Sequence, residues 1–161
     1  MDHSSLIESA ASSHGLPSRL VRAVVGVESG GNTWSFRFEP AFYERYVRPD
    51  KTIRAVAPCS LDTERQARAT SWGLMQVMGA TARGLGFDRS FLSELADPAL
   101  GLEYGCRLLA RLRDRHKGSM GWGGAVAAYN AGGVRLDPQG RFVNQAYVDK
   151  IVRTLGGEWP A

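Results

Sequence analysis

Apolar positions recur at helical spacing along most of the chain. Leu20, Ala23, Val24 and Val27 fall at i, i+3, i+4 and i+7, a buried stripe that ends beside Glu28. Before it, residues 4 to 13 read as a short helix closed by Gly15, with Pro17 opening the next. "PAFYERYV" (40 to 47) predicts another short helix, and "PDKTIRAVAPC" after it is irregular. Ser60 is placed to cap a polar helix running to about Ala69. The stretch "SWGLMQVMGATARGLGF" has glycines at 73, 79, 84 and 86, too many for one helix. It predicts a tight turn, a short extended or helical piece, and one or two further helical turns.

The longest helix follows. Asp97 caps it, Pro98 takes its first position, and Gly118 lies just past its expected end. Leu102, Cys106, Leu109 and Leu112 form its inner face. "GWGGAVAAYNAGG" is a helix of small residues stopped by Gly132 and Gly133, and "LDPQGR" is a turn. Asn144 then caps a last helix with Tyr147, Ile151 and Leu155 on one face and Gly156 as its stop. The expectation is an all-α fold, with room for a small β-hairpin between residues 33 and 75.

Composition narrows this further. At 161 residues, with 43% hydrophobic and 22% charged side chains, the chain fits one globular domain, 1–161, and not a disordered segment. The net charge of +4 suits an anionic partner such as nucleic acid, a membrane surface or a bacterial wall. The arginines are scattered, so charge does not choose among them. Cys59 and Cys106 have no CxxC spacing, which excludes the usual zinc sites; both are expected as thiols. The N-terminus "MDHSSLIESAASSHG" lacks the apolar core of a signal peptide, and no stretch has the length of a membrane span. Synthesis in the cytoplasm is therefore expected.

Three segments carry candidate chemistry. Glu28 follows an apolar stripe and precedes a Gly-Gly pair; an apolar pocket keeps a carboxyl protonated, as cleavage of a glycoside requires. The same residue also suits a solvated helix end. In "SWGLMQVMG" (71 to 79), Trp72, Met75 and Met78 are apolar and deformable, and Gln76 among them needs hydrogen-bond partners if buried. A site for acetamido sugars wants that mixture, although such methionines are more often core. In "AAYNAGG" (127 to 133), Tyr129 is placed to hydrogen-bond a carboxylate or a substrate oxygen, with Asn130 beside it capping the turn or touching substrate.

In this order, and with the "DP…G" helix before the third, "ESGG", "GLMQVM" and "AAYNAGG" resemble the soluble lytic transglycosylase and goose-type lysozyme superfamily. The resemblance runs from about Leu6 to Leu155. It implies a lysozyme-like, mostly helical fold that binds peptidoglycan and cleaves the β-1,4 bond between N-acetylmuramic acid and N-acetylglucosamine. By motif, Glu28 is the catalytic acid and later the base, and Gln76 and Met78 line the sugar sites. Tyr129 stands beside the Glu28 carboxyl, and Tyr147 in "AYVDKI" matches the closing "YV" motif and braces the cleft. Three departures stand out. The segment of about 33–70 is an insertion, which leaves Ser71 as the candidate for the family's serine near the acid. Val143 replaces an acidic residue, and Thr33 stands where proline is common. The insertion holds "FRFEPAFYERY", similar to phage-type muramidases and transglycosylases, so Glu39 and Tyr43 are candidates to reach the substrate. Glu39 equally suits a helix N-terminus, where the dipole favours an acid.

One convincing acid suits substrate-assisted chemistry with a 1,6-anhydro product, which points to a lytic transglycosylase. A muramidase needs a second carboxylate opposite Glu28, drawn from Glu39, Glu44, Asp62 or Glu64. No metal or cofactor is required. A basic catalytic domain without a leader looks like a phage endolysin. It is expected to act as a monomer, to wait in the host cytoplasm until lysis, and then to reach the periplasm and wall. Its expected partner is the peptidoglycan glycan strand, with no nucleic acid and no stable membrane insertion. Two other classes stay open. One is a wall-binding protein on the same fold without catalysis. The other is a nucleic-acid binder using Arg19, Arg22, Arg111, Arg113 and Arg115.

Overall fold

Helices dominate the computed structural model, which describes residues 3–160. In chain order the elements are α1 (Ser4–Ser13), α2 (Ser18–Glu28), β1 (Phe36–Phe38) and α3 (Pro40–Phe42), which widens into a π-helical turn over Tyr43–Val47. Next come α4 (Leu61–Arg68), β2 (Thr70–Trp72), β3 (Val77–Met78) and α5 (Gly79–Gly84). After a 3-10 turn over Leu92–Ala96, α6 (Pro98–Ala131) and α7 (Gln145–Thr154) complete the chain. Ser60 caps α4 as expected, its Oγ accepting from the Thr63 N–H at 3.1 Å. Asp97 likewise caps α6, accepting from the Leu100 N–H at 3.0 Å. The long helix does not stop at Gly118. It runs on to a break at Gly121, whose φ of 60° and ψ of −157° are open to glycine at little cost, and a second helical segment follows.

The chain divides into two units. One is Glu28–Gly105; the other combines residues 3–27 and 106–160. In the second unit the predicted stripes are buried: Leu20, Ala23 and Val24 on α2, Cys106, Leu109 and Leu112 on α6, and Ala125 to Ala128 after the break. Val148 and Ile151 are the buried face of α7. Arg113 crosses to the α1–α2 turn, its guanidinium donating to the carbonyls of His14 at 3.2 Å and Gly15 at 2.6 Å.

The first unit holds a three-stranded antiparallel sheet, ordered β1-β2-β3, where the sequence left room for a hairpin. Phe36 faces Trp72 and Phe38 faces Thr70 across the first pair; Ser71 faces Met78 across the second. Val47, Ile53 and Ala69 pack with Phe42, Tyr43 and Leu61 beside this sheet. Gly73, with φ of 71°, follows β2 so closely under the 3-10 turn that a Cβ there would lie 2.2 Å from the Leu95 carbonyl oxygen. That contact explains the glycine in "SWGLMQ". Glu64 is buried in the same unit. It accepts from Arg68 Nε at 2.8 Å and bidentately from Arg83 Nε and Nη2, each at 2.8 Å. Burial pushes this carboxyl up, but the hydrogen bonds from Arg83 and Arg68 outweigh it and hold it below the ordinary carboxylate range.

Candidate active site

Glu28 is the last residue of α2 and is half-buried. The chain leaves the helix through Gly30 and Gly31, both at positive φ. Ser29 fixes this exit: its hydroxyl donates to the Leu74 carbonyl at 2.8 Å and accepts from the Gly31 N–H at 3.2 Å. The Glu28 end of α2 is thereby tied to the turn that joins β2 to β3. Thr33 is buried and donates its hydroxyl to the Ala96 carbonyl.

The turn itself is built around Gln76. Its backbone sits at φ 47°, an uncommon conformation for a residue with a side chain, and its N–H closes the turn on the Gly73 carbonyl at 3.2 Å. The side-chain amide supports that conformation. Nε2 donates to the carbonyls of Ser35 at 2.9 Å and Gly73 at 3.0 Å. Both of these hydrogen bonds use the nitrogen, which leaves the amide oxygen as an acceptor for a ligand hydroxyl or amide. Met78, at the end of β3, is half-exposed. Met75 and Ser71 are not: Met75 is buried over Gly105, and Ser71 is buried in the central strand. Ser71 is covered because β2 is the central strand, paired on both sides, and Met75 because the facing Gly105 leaves room for its side chain.

The acids of the insertion separate by environment. Glu39 precedes α3 without capping it through its side chain, which instead takes Arg37 Nε at 2.5 Å. Glu44 pairs with Arg48 at 2.6 Å on an exposed helical face, and Asp62 is exposed in the first turn of α4. Glu64 is locked between two guanidinium groups and is not free to take a proton from water.

In the second unit, Tyr129 and Tyr147 are half-buried and Asn130 is exposed near the end of α6. Asn144 was expected to cap α7. It occupies the cap position, but its side chain makes no capping bond. Its Nδ2 donates instead to the Ala127 carbonyl at 3.0 Å and to Asn130 Oδ1 at 2.9 Å. This turns the Asn130 amide so that its own N–H₂ remains available as a donor. Ser29, Ser35 and Asn144 take part in hydrogen bonds that no local pattern marks, since each has a partner at least 14 residues away. Both cysteines are thiols. Among the described residues there is no group of three or more His, Cys, Asp or Glu that could hold a metal. No helix there is long and apolar enough to cross a membrane.

Comparison with known proteins relates the chain to a domain family and to a phage protein. A family model described as the transglycosylase SLT domain matches residues 5–150. The chain is also similar to a protein named Endolysin from Enterobacteria phage PRD1, at 45% identity over 60 residues. That match covers 33% of this chain and 40% of the phage protein's length.

Proposed function

Because the chain belongs to the transglycosylase SLT domain family, we propose that it cuts the glycan strands of peptidoglycan, with Glu28 as the acid. The observation that carries this is the Ser29–Leu74 hydrogen bond. It joins "ESGG" to "GLMQVM", two motifs 45 residues apart at this bond, and so ties the residue after Glu28 to the turn that carries Gln76.

The bond cut is the β-1,4 link from N-acetylmuramic acid to N-acetylglucosamine. Glu28 donates its proton to the leaving oxygen while the 2-acetamido group of the muramic sugar supports the developing cation. The carboxylate then takes the proton of the muramic 6-hydroxyl as that oxygen attacks, closing a 1,6-anhydro ring. Hydrolysis by inversion asks for a second carboxylate at roughly 6.5–9.5 Å with water between. Glu64 is committed to Arg83 and Arg68, and Glu39 to Arg37, which favours the anhydro route. Gln76 and Met78, on the turn and strand that follow β2, contact the sugars. The similarity to a phage endolysin supports a role in host lysis, with the net positive charge aiding approach to an anionic wall.

Digestion of purified peptidoglycan followed by mass spectrometry tests this. Fragments one water lighter than hydrolytic muropeptides are expected, and reducing-end fragments would make the enzyme a muramidase. Glu28→Gln should abolish release while keeping the thermal melt of the parent. Appreciable turnover by that variant would remove Glu28 from the mechanism.

A further inference from the structure

β1 is the edge strand of the sheet, and all three of its residues are exposed. Phe36 is 70% exposed, and Trp34, two residues earlier, is 74% exposed. Large rings left this open in a soluble domain mark a contact surface more often than chance. Phe36 is also held in place. Phe36 stacks on Trp72 with centroids 5.9 Å apart and planes inclined by 25°, and Trp72 is anchored by its indole N–H on the Ala67 carbonyl at 3.0 Å. Phe38, on the same side of the strand as Phe36 by alternation, packs on Tyr43 at 5.7 Å. The Trp34 N–H bonds to Asn32 Oδ1 at 3.0 Å, which fixes the backbone leading into the strand.

This ridge is continuous with the turn that carries Gln76. The residue between Trp34 and Phe36 is Ser35, and its carbonyl receives both Gln76 Nε2 at 2.9 Å and the Gly73 N–H at 2.8 Å. We propose that Trp34 and Phe36, backed by Trp72, form an aromatic platform that holds a further stretch of the peptidoglycan glycan strand beyond the sugars at Gln76. Pyranose rings present C–H faces that lie flat on aromatic rings, and a rigid stacked pair accepts them without ordering cost. Anionic lipid is a poorer match, because the nearby cations are already engaged: Arg37 with Glu39, Arg48 with Glu44, and Arg45 over the Tyr46 ring at 5.1 Å.

The platform rests on the wall-cleaving function, so the experiment separates the two. Glu28→Gln protein serves as a trap and is co-sedimented with purified insoluble peptidoglycan. Adding Trp34→Ala and Phe36→Ala should raise the half-saturation concentration about tenfold, equivalent to about 1.4 kcal/mol. Trp34→Ala alone removes a ring that is mostly in solvent, so it should fold normally and show part of that loss. Trp34→Tyr with Phe36→Tyr keeps the rings and should bind like the trap. Equal sedimentation of the ring-less and parent traps, alongside wild-type cleavage, overturns the platform and leaves the enzyme standing. A trap that does not sediment, with wild-type protein releasing no fragments, overturns both. Loss of binding to phosphatidylglycerol vesicles or of a dimer in sedimentation velocity, with peptidoglycan binding intact, would assign the rings to a membrane or a second copy and also overturns it.

Discussion

Residues 28–105 and the unit formed by residues 3–27 and 106–160 are stabilised differently. The second buries aliphatic and alanine faces that repeat every three or four residues on long helices. The first has short elements, three strands of two or three residues among them, and closes around a buried carboxylate and side chains that reach distant carbonyls. Apolar stripes tolerate drift because their attraction is non-directional and scales with area. Directional bonds to a charge or a carbonyl do not, so they set the position of a turn more tightly and fail more abruptly.

Glu64 offers the sharpest way to break that contrast. Removing its charge leaves the buried Arg83 guanidinium and its neighbour Arg68 without their counter-ion, and turns an amide N–H₂ donor toward one of them. Glu64→Gln should cost about 3–5 kcal/mol in urea unfolding at pH 7. The pH dependence has a definite sign. A carboxyl held below its usual value adds stability above the ordinary range near ~4.3 and loses it as pH falls through the lower folded value. The gap between wild type and Glu64→Gln should therefore be full at neutral pH and close in acid. A gap that stays constant down to acid unfolding would show that shape, not charge, matters at this site.

Leu109→Ala, on the fully buried face of α6, should cost about 3 kcal/mol through lost burial and a residual cavity. Here the gap should not narrow over the acid range in which the Glu64 gap closes. Parallel pH curves for the two variants would erase the distinction between the two units.

The same distinction explains what could be read from the sequence. The stripe Leu102, Cys106, Leu109 and Leu112, the caps Ser60 and Asp97, and the glycine stops at 15, 132 and 156 are local signals, and each stands where the pattern puts it. Gly118 misled because glycine inside a helix is only mildly unfavourable, whereas Gly121 adopts a conformation that ends it. The three motifs single out Glu28 and Gln76 as candidates, and the structure shows the turn that Gln76 supports. Composition cannot separate Met75 from Met78; Met75 is buried in the turn against the facing Gly105, while Met78, at the end of β3, is half-exposed. The bonds from Ser29 to Leu74 and from Gln76 to Ser35 span 45 and 41 residues, a distance at which no periodicity operates.

Ser29→Ala tests whether those long-range bonds position chemistry more than they stabilise. Its hydroxyl bonds are partly buried, so the loss in unfolding free energy should be about 1 kcal/mol. If the bond sets Glu28 against the Gln76 turn, kcat on peptidoglycan should fall roughly tenfold to a hundredfold, because small misplacements of a reacting group are costly. Ser29→Thr keeps the hydroxyl and should recover much of the rate. A rate that falls only in step with stability would make Ser29 a structural residue alone.

Asn144 yields the smallest effect and the cleanest discrimination. As a helix cap, asparagine is replaceable by aspartate with little change, since both accept from the first-turn N–H groups. The observed contacts require a donor instead. Nδ2 serves the Ala127 carbonyl and Asn130 Oδ1 together, and a carboxylate can supply neither bond while placing negative charge against two oxygens. Asn144→Ala should lose about 1 kcal/mol, and Asn144→Asp at neutral pH should lose at least as much, against the usual capping order. Protonation restores one donor to the aspartate, so its deficit relative to alanine should shrink as the solution is acidified. If Asn144→Asp instead matches wild type at pH 7, the side chain is acting as a cap in solution, and the tie between α7 and the "AAYNAGG" segment contributes little.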